Sequence, residues 1–412
     1  MYDWAVLEAW IEFAVRWTHV ITAVAWIGSS FYFIALDLGL RKSPDLPPGA
    51  YGEEWQVHGG GFYHVQKYLV APDRLPDHLI WFKWESYTTW LSGFALLVLV
   101  YYLGADLYLV DPAVLDIAVW QAVLISLASL GFGWLAYDTI CKSRLGDDNT
   151  RLMLLLYVLL VAMAWGYTQV FSGRAALLHL GAFTATIMSA NVFMVIMPNQ
   201  RIVVADLKAG RVPDPKYGRI AKQRSTHNNY LTLPVLFLML SNHYPLAFAT
   251  QYNWIIASLV FLMGVTIRHY FNSRHAGKGN PTWTWAVTAV LFLIIAWLST
   301  APMRTAEPEA QLQGAALTYA SAPGFDEVTG IVQGRCSMCH AAEPAWPGML
   351  WPPKGVVLET PAQIAHEARR IYLQAGVSHA MPPANLSYIE PQEREAIVRW
   401  FQGAGKGVGV QG

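Results

Sequence analysis

The sequence predicts an all-α protein, an eight-helix transmembrane bundle followed by a small soluble C-terminal domain. Three observations lead there. Of 412 residues, 54% are hydrophobic and only 14% charged, against roughly 25% charged in soluble domains. Apolar runs recur up to about position 300, and a span needs about 20 mostly apolar residues. Beyond that point the composition turns polar, and the run Cys336-Ser337-Met338-Cys339-His340 follows. The expected organisation is 1–301 in the membrane, a linker over 302–323, and a soluble domain over 324–412. A net charge of zero argues against nucleic acid as a partner.

The spans read as Trp10–Leu36, Thr88–Tyr108, Val114–Tyr137, Leu152–Phe171, Ala175–Met197, Leu231–Thr250, Trp254–Tyr270 and Trp283–Ala301. Residues 1–300 hold 20 Lys and Arg, and 18 of them, Arg74 among them, fall in the loops after spans one, three, five and seven or at the helix ends beside those loops; only Arg16 and Arg174 do not. Positive loops stay cytoplasmic, so both termini are expected outside, in the periplasm of a bacterium, and the protein in its inner membrane with the lipid bilayer as partner. Asp3 and Glu8 replace the basic region of a cleavable signal. Cys141 then faces the reducing side as a free thiol. The long Gly- and Pro-rich stretch from Arg41 to Trp81 reads as a functional loop, and Asn199–Ser225 as a shorter basic loop.

A weak repeat links spans one and five. The offsets +8, +10 and +14 from His19 give Ile27, Ser29 and Phe33, and from His179 they give Ile187, Ser189 and Phe193. This fits a duplicated four-helix unit related by an axis along the membrane normal; three matches in apolar helices also arise by coincidence.

Two thiols three positions apart, with His directly behind, form the attachment site of a c-type haem. Cys336 and Cys339 add to the haem vinyl groups, and the His340 imidazole becomes an axial iron ligand. Attachment happens outside the inner membrane, in agreement with the basic-residue topology. Phe325, Val328, Ile331 and Val332 share a helix face, and helical patterns follow over Ala362–Leu373 and Pro391–Phe401. This is the size and helix order of a class I cytochrome c domain. Met381, before Pro382 and Pro383, is the expected sixth iron ligand. Met338 sits inside the attachment turn, Met349 lies near the proximal side, and His379 would lower the potential.

Ionisable groups in a span are costly and usually functional. Glu12, Arg16 and His19 share one helix face. They read either as an ion pair beside a hydrogen-bonded histidine or as part of an outer pocket. His19 and His179 are the first-choice ligands of an intramembrane b-type haem. A second cluster, at the cytoplasmic helix ends, includes Lys83, Glu85, Asn199, Gln200, Arg201, His227-Asn228-Asn229, Arg268 and His269. It reads either as solvated helix ends or as a small-molecule site. Asn and Gln amides match the donors and acceptors of a planar heterocycle, and Arg binds an anion.

The run from Trp55 to Tyr68 (WQVHGGGFYHVQKY), Trp81-Phe82-Lys83-Trp84-Glu85, the run from His227 to Pro234 (HNNYLTLP) and Ser241-Asn242-His243-Tyr244-Pro245 carry a resemblance. Together they resemble the membrane-bound, cytochrome c-fused urate oxidases (urate hydroxylases) of bacterial purine catabolism, over the whole chain. The resemblance implies oxidation of urate to 5-hydroxyisourate. The electrons would leave through the c haem to a respiratory-chain acceptor, a cytochrome c or a terminal oxidase, without hydrogen peroxide. It does not say which residues hold urate. Glu85, His227 and His58 are candidate bases on the inner side, and Glu12 and His19 on the outer; Arg268 or Arg16 would hold the anion. A cytoplasmic urate site would put about 30 Å of hydrocarbon before the c haem, which is the reason to expect a b haem. The rival class is a quinol–cytochrome c electron-transfer protein, and a plain membrane anchor is a third.

Overall fold

The computed structural model describes residues 4–68, 75–300, 312, 314–347, 349 and 351–407. Arg74 and the linker positions 302–311 and 313 lie outside the described residues. The chain is mostly helical. In the first part, α1 (Trp4–Gly39) is followed by a hairpin of β1 (Ala50–His58) and β2 (Gly61–Tyr68). Then come α2 (Trp84–Leu96), which runs on as a π segment to Tyr102, and α3 (Ala105–Tyr108). Next are α4 (Val119–Lys142), α5 (Asn149–Thr168) and α6 (Gly173–Ala190). A π segment, Asn191–Ile196, joins α6 to α7 (Met197–Lys208). The bundle closes with α8 (Pro215–Ser241), α9 (Pro245–Phe248), α10 (Asn253–His275) and α11 (Trp283–Ser299).

Helices stand at all eight expected positions. Among the described residues, five are long and apolar enough to cross a membrane: Trp4–Gly39, Val119–Lys142, Asn149–Thr168, Gly173–Lys208 and Asn253–His275. Trp283–Ser299 is apolar but shorter. The two segments of the sequence repeat lie in the two 36-residue helices.

Two expectations are corrected. Residues 50–68 of the stretch after α1 form a β-hairpin, so the fold is not purely α. Gly59 and Gly60 have φ of 59° and 80°, the backbone that a two-residue hairpin turn requires, and β1 pairs antiparallel with β2 from His58↔Gly61 outward. The expected loop Asn199–Ser225 is mostly helical, since α7 and α8 continue past the apolar segment. Asp214 accepts from the Lys216 N–H at 2.8 Å and Pro215 opens α8, a favourable helix start. Ser172 caps α6 in the same way, accepting from the Ala175 N–H at 3.2 Å.

Glycines set the closest helix approaches. A Cβ on Gly133 of α4 would sit 2.1 Å from the Phe183 ring of α6. One on Gly264 of α10 would sit 2.6 Å from the Pro234 ring of α8.

The second part has its own buried core. It comprises α12 (Gly314–Ala320), α13 (Phe325–Arg335), α14 (Ser337–His340), α15 (Pro361–His366), α16 (Ala368–Ile371) with a π segment Tyr372–Val377, and α17 (Pro391–Gly407). The single helix expected over Ala362–Leu373 is thus split at Glu367. Val328, Val332 and Ile397 are fully buried. The Phe325 and Trp400 rings stack at 5.8 Å where α13 meets α17. This domain rests on the end of the bundle where α1 begins. Arg369 pairs with Glu8 at 3.4 Å, and the Arg370 guanidinium lies 5.0 Å from the Tyr108 ring. The hairpin sits at the other end of α1, where Lys67 pairs with Asp37 and Arg41 bridges to Glu53. A 36-residue helix is about 54 Å long, so the two features occupy opposite ends.

Candidate functional site

A cavity of about 750 Å³ opens at the hairpin end. The second half of α1 supplies Trp26 and Phe33, the hairpin supplies Tyr51 and Lys67, and the approach to α2 supplies Trp81 and Phe82. Polar groups converge from four helices: Glu85 and Ser86 on α2, Asn199 and Gln200 on α7, Asn228 on α8, and Ser29 on α1. An aromatic-lined space with a few placed polar groups is the usual form of a small-molecule site. The Ser86 hydroxyl is buried with no protein partner, an unmet demand that a ligand or water would satisfy.

Behind Asn228 runs a buried polar chain. Arg224, 1% exposed, pairs with Asp138 at 2.8 Å and donates through Nη1 to Asn191 Oδ1 at 3.2 Å. Asn191 Nδ2 donates to Asn228 Oδ1 at 2.9 Å and to the Tyr137 hydroxyl at 3.0 Å. That hydroxyl lies 2.8 Å from His227 Nδ1, and Asn228 Nδ2 donates to the Met188 carbonyl at 2.9 Å.

Of the four candidate catalytic residues, Glu85 lines the cavity and the other three do not. His227 is tied to Tyr137. Arg268 faces inward, 4.1 Å from the Phe31 ring and donating to Asn229 and Asn272. His58 is exposed where the hairpin turns; the hairpin histidine with partners is His64, stacked on Trp55 at 4.2 Å and bonded to Glu53 at 2.7 Å. Ser86, Tyr137, Asn191 and Arg224 were not singled out in the sequence for these roles. Asn191 and Arg224 carried a signal, being an amide inside an apolar run and a cation three residues before His227.

Glu12 and Arg16 pair with each other, as the ion-pair reading expects. His19 Nδ1 lies 3.0 Å from the Thr89 carbonyl and 3.2 Å from the Ser92 hydroxyl, both on α2. His179 is fully buried, its Nδ1 donating to the Ala175 carbonyl at 2.8 Å and its Nε2 without a partner. That free Nε2 suits an iron ligand. The His179 ring lies 5.8 Å from that of Tyr101, in the π segment that follows α2.

In the C-terminal domain, the run from Cys336 to His340 sits where α13 ends and α14 begins. His340 donates through Nδ1 to the Val356 carbonyl at 2.8 Å, which leaves Nε2 to bind iron. Burial pushes the Cys336 thiol up to about 11. Arg394, buried on α17, donates to the Ala375 and Met381 carbonyls at 2.5 and 2.9 Å and fixes the Met381 segment. The donor set of two cysteines, one histidine with a free Nε2 and one methionine fits a c-type haem. A cleft of about 480 Å³ lies between His379 and Arg394 and touches neither Cys336 nor His340.

Fold and site define a mostly helical protein with membrane-length apolar helices and an aromatic-lined polar cavity at one end. Residues 5–299 match the family model described as Urate oxidase N-terminal, and the chain belongs to that family. No curated protein and no solved structure matched the chain.

Proposed function

We propose that this protein is a membrane-bound urate oxidase that hydroxylates urate to 5-hydroxyisourate in the cavity at the hairpin end. The observation that carries this is the cavity itself. It lies within the residues shared with the urate oxidase family and combines aromatic walls with Glu85, Ser86 and Asn228. Urate and water give 5-hydroxyisourate, two protons and two electrons. Glu85 accepts a proton at its carboxylate. Asn199, Gln200 and Asn228 bind the heterocycle edges, and Trp26, Trp81 and Phe82 cover its faces and exclude water.

Cys336 and Cys339 would hold a c-type haem covalently, with His340 and Met381 as its iron ligands, and the group would supply a one-electron acceptor and an exit to a respiratory-chain partner, a cytochrome c or a terminal oxidase. Under this reading the eight helices span the bacterial inner membrane, with the cavity toward the cytoplasm and the C-terminal domain in the periplasm. Trp26 at the cavity and Glu8 at the C-terminal domain are 18 residues apart on α1, about 27 Å along the helix. A b-type haem held by His19 and His179 would supply a relay across this gap.

The test is anaerobic addition of urate to the purified protein while the c-haem α-band is followed. Rapid reduction, abolished by Cys336→Ala, is expected. Reduction by a quinol and not by urate would instead make this a quinol–cytochrome c oxidoreductase.

A further inference from the structure

The polarity of the buried chain behind the cavity is fixed from one end. Arg224 has only N–H donors, so the Asn191 atom that it reaches at 3.2 Å is an acceptor, Oδ1. Asn191 Nδ2 then spends its two N–H groups on Asn228 Oδ1 and the Tyr137 hydroxyl. Asn228 Oδ1 is thereby an acceptor, and its Nδ2 must donate, as it does to the Met188 carbonyl at 2.9 Å. Its amide is held against flipping from both sides.

An amide has two N–H groups and two carbonyl lone pairs. Protein groups take one of each from Asn228. One donor and one acceptor remain on a residue that lines the cavity and is only 5% exposed. Ser86, 1% exposed and lining the same cavity from α2, adds a hydroxyl with no partner. A fixed donor beside a fixed acceptor matches the adjacent N–H and C=O of a cyclic lactam. It mismatches a ring whose nitrogens carry no hydrogen.

We propose that Asn228 is the specificity-determining residue of the cavity, reading a lactam edge with an amide whose orientation Arg224 and Asn191 impose. This rests on the urate reading and adds to it the group that discriminates and the residues that position that group. Asn191 is the positioning residue.

The test uses the full-length protein in detergent and titrates urate, xanthine, uracil and fully N-methylated urate. Asn228→Leu keeps the volume and removes the amide. It should weaken urate binding about tenfold or more, as expected when buried polar groups lose their partner, and leave the methylated ligand within about twofold. Asn191→Asp reaches no ligand but has no N–H for Asn228 Oδ1. It should raise KM for urate by a similar factor with kcat changed far less.

Equal weakening of urate and the methylated ligand, or no change in either variant, overturns the assignment while urate oxidation stands. Binding of xanthine or uracil but not urate, still lost in Asn228→Leu, overturns the urate reading while the lactam reading of Asn228 stands. Binding of no lactam by the native protein sinks both.

Discussion

Tyr137 and His227 are joined by a 2.8 Å hydrogen bond at the end of the buried chain that starts from Arg224. Asn191 donates into the same hydroxyl oxygen, so the histidine is tied into the buried chain, and it lies outside the cavity wall. The sequence offered His227 and Glu85 together as bases, and the geometry separates them.

Glu85→Gln should therefore lower kcat for urate by about 100-fold or more, the range of a lost general base. His227→Gln should cost less than about tenfold and leave the pH profile of kcat unmoved. Steady-state rates of urate-dependent acceptor reduction between pH 6 and 9 decide this. A loss in His227→Gln as large as in Glu85→Gln would return the histidine to the chemistry.

Arg224 also predicts stability. Its side chain is 2% exposed and Asp138's 16%, at 2.8 Å, so removing the cation strands a largely desolvated carboxylate. Arg224→Met should destabilise by about 3 kcal/mol, the low end for breaking a buried pair, because Lys142 still reaches Asp138 at 2.6 Å. Arg151→Met, which breaks an exposed pair with Asp148, should leave the thermal midpoint in place. Fluorescence-detected melting of both variants in detergent is the check, and equal midpoints would remove Arg224 from the structural core.

Much of this architecture was legible because it follows from period and apolarity. The α13 face of Phe325, Val328 and Val332 is buried as its spacing demands, and the apolar runs mark the helices. Helix ends were less legible, since α7 and α8 run on through basic sequence that hydropathy assigns to a loop. The hairpin was missed because Gly59-Gly60-Gly61 reads as slack until the alternation on either side is weighed. Site membership was least legible. Glu85, Asn199, Gln200 and Asn228 were named together and do meet at the cavity, yet Arg268 and His227 came with them on position alone. Whether a polar side chain faces a cavity or a neighbouring helix depends on its rotation about the axis, which a soft span boundary leaves open.

Helix packing supplies a paired prediction on α4. A Cβ at Gly133 would lie 2.1 Å from the buried Phe183 ring, and one at Gly131 meets nothing within 4 Å. Gly133→Ala should cost about 1–3 kcal/mol through overpacking. Gly131→Ala should be neutral or stabilising by up to about 1 kcal/mol from helix propensity. Thermal midpoints that fall equally for both would mean that α4 and α6 are not this close.

Arg335 and Glu393 tie α13 to α17 beside the haem motif, with guanidinium–carboxylate contacts of 3.0 to 3.1 Å and a further bond from Arg335 to the Ser387 carbonyl. Burial pushes the Glu393 carboxyl up, but the Arg335 bonds and the Glu390 N–H outweigh it and hold the group below its ordinary value. A carboxyl whose folded value is depressed adds stability at pH above its unfolded value, about 4.3. That contribution is lost as pH falls through the lower folded value. The C-terminal domain should therefore keep its fold to a more acidic pH than Arg335→Gln, in which Glu393 returns toward its unfolded value. With the proposed haem bound, acid titration of its Soret band between pH 2 and 6 reads this directly. The expected result is a higher acid midpoint in Arg335→Gln with neutral-pH spectra unchanged, and coincident midpoints would show that the pair contributes nothing to the α13–α17 junction.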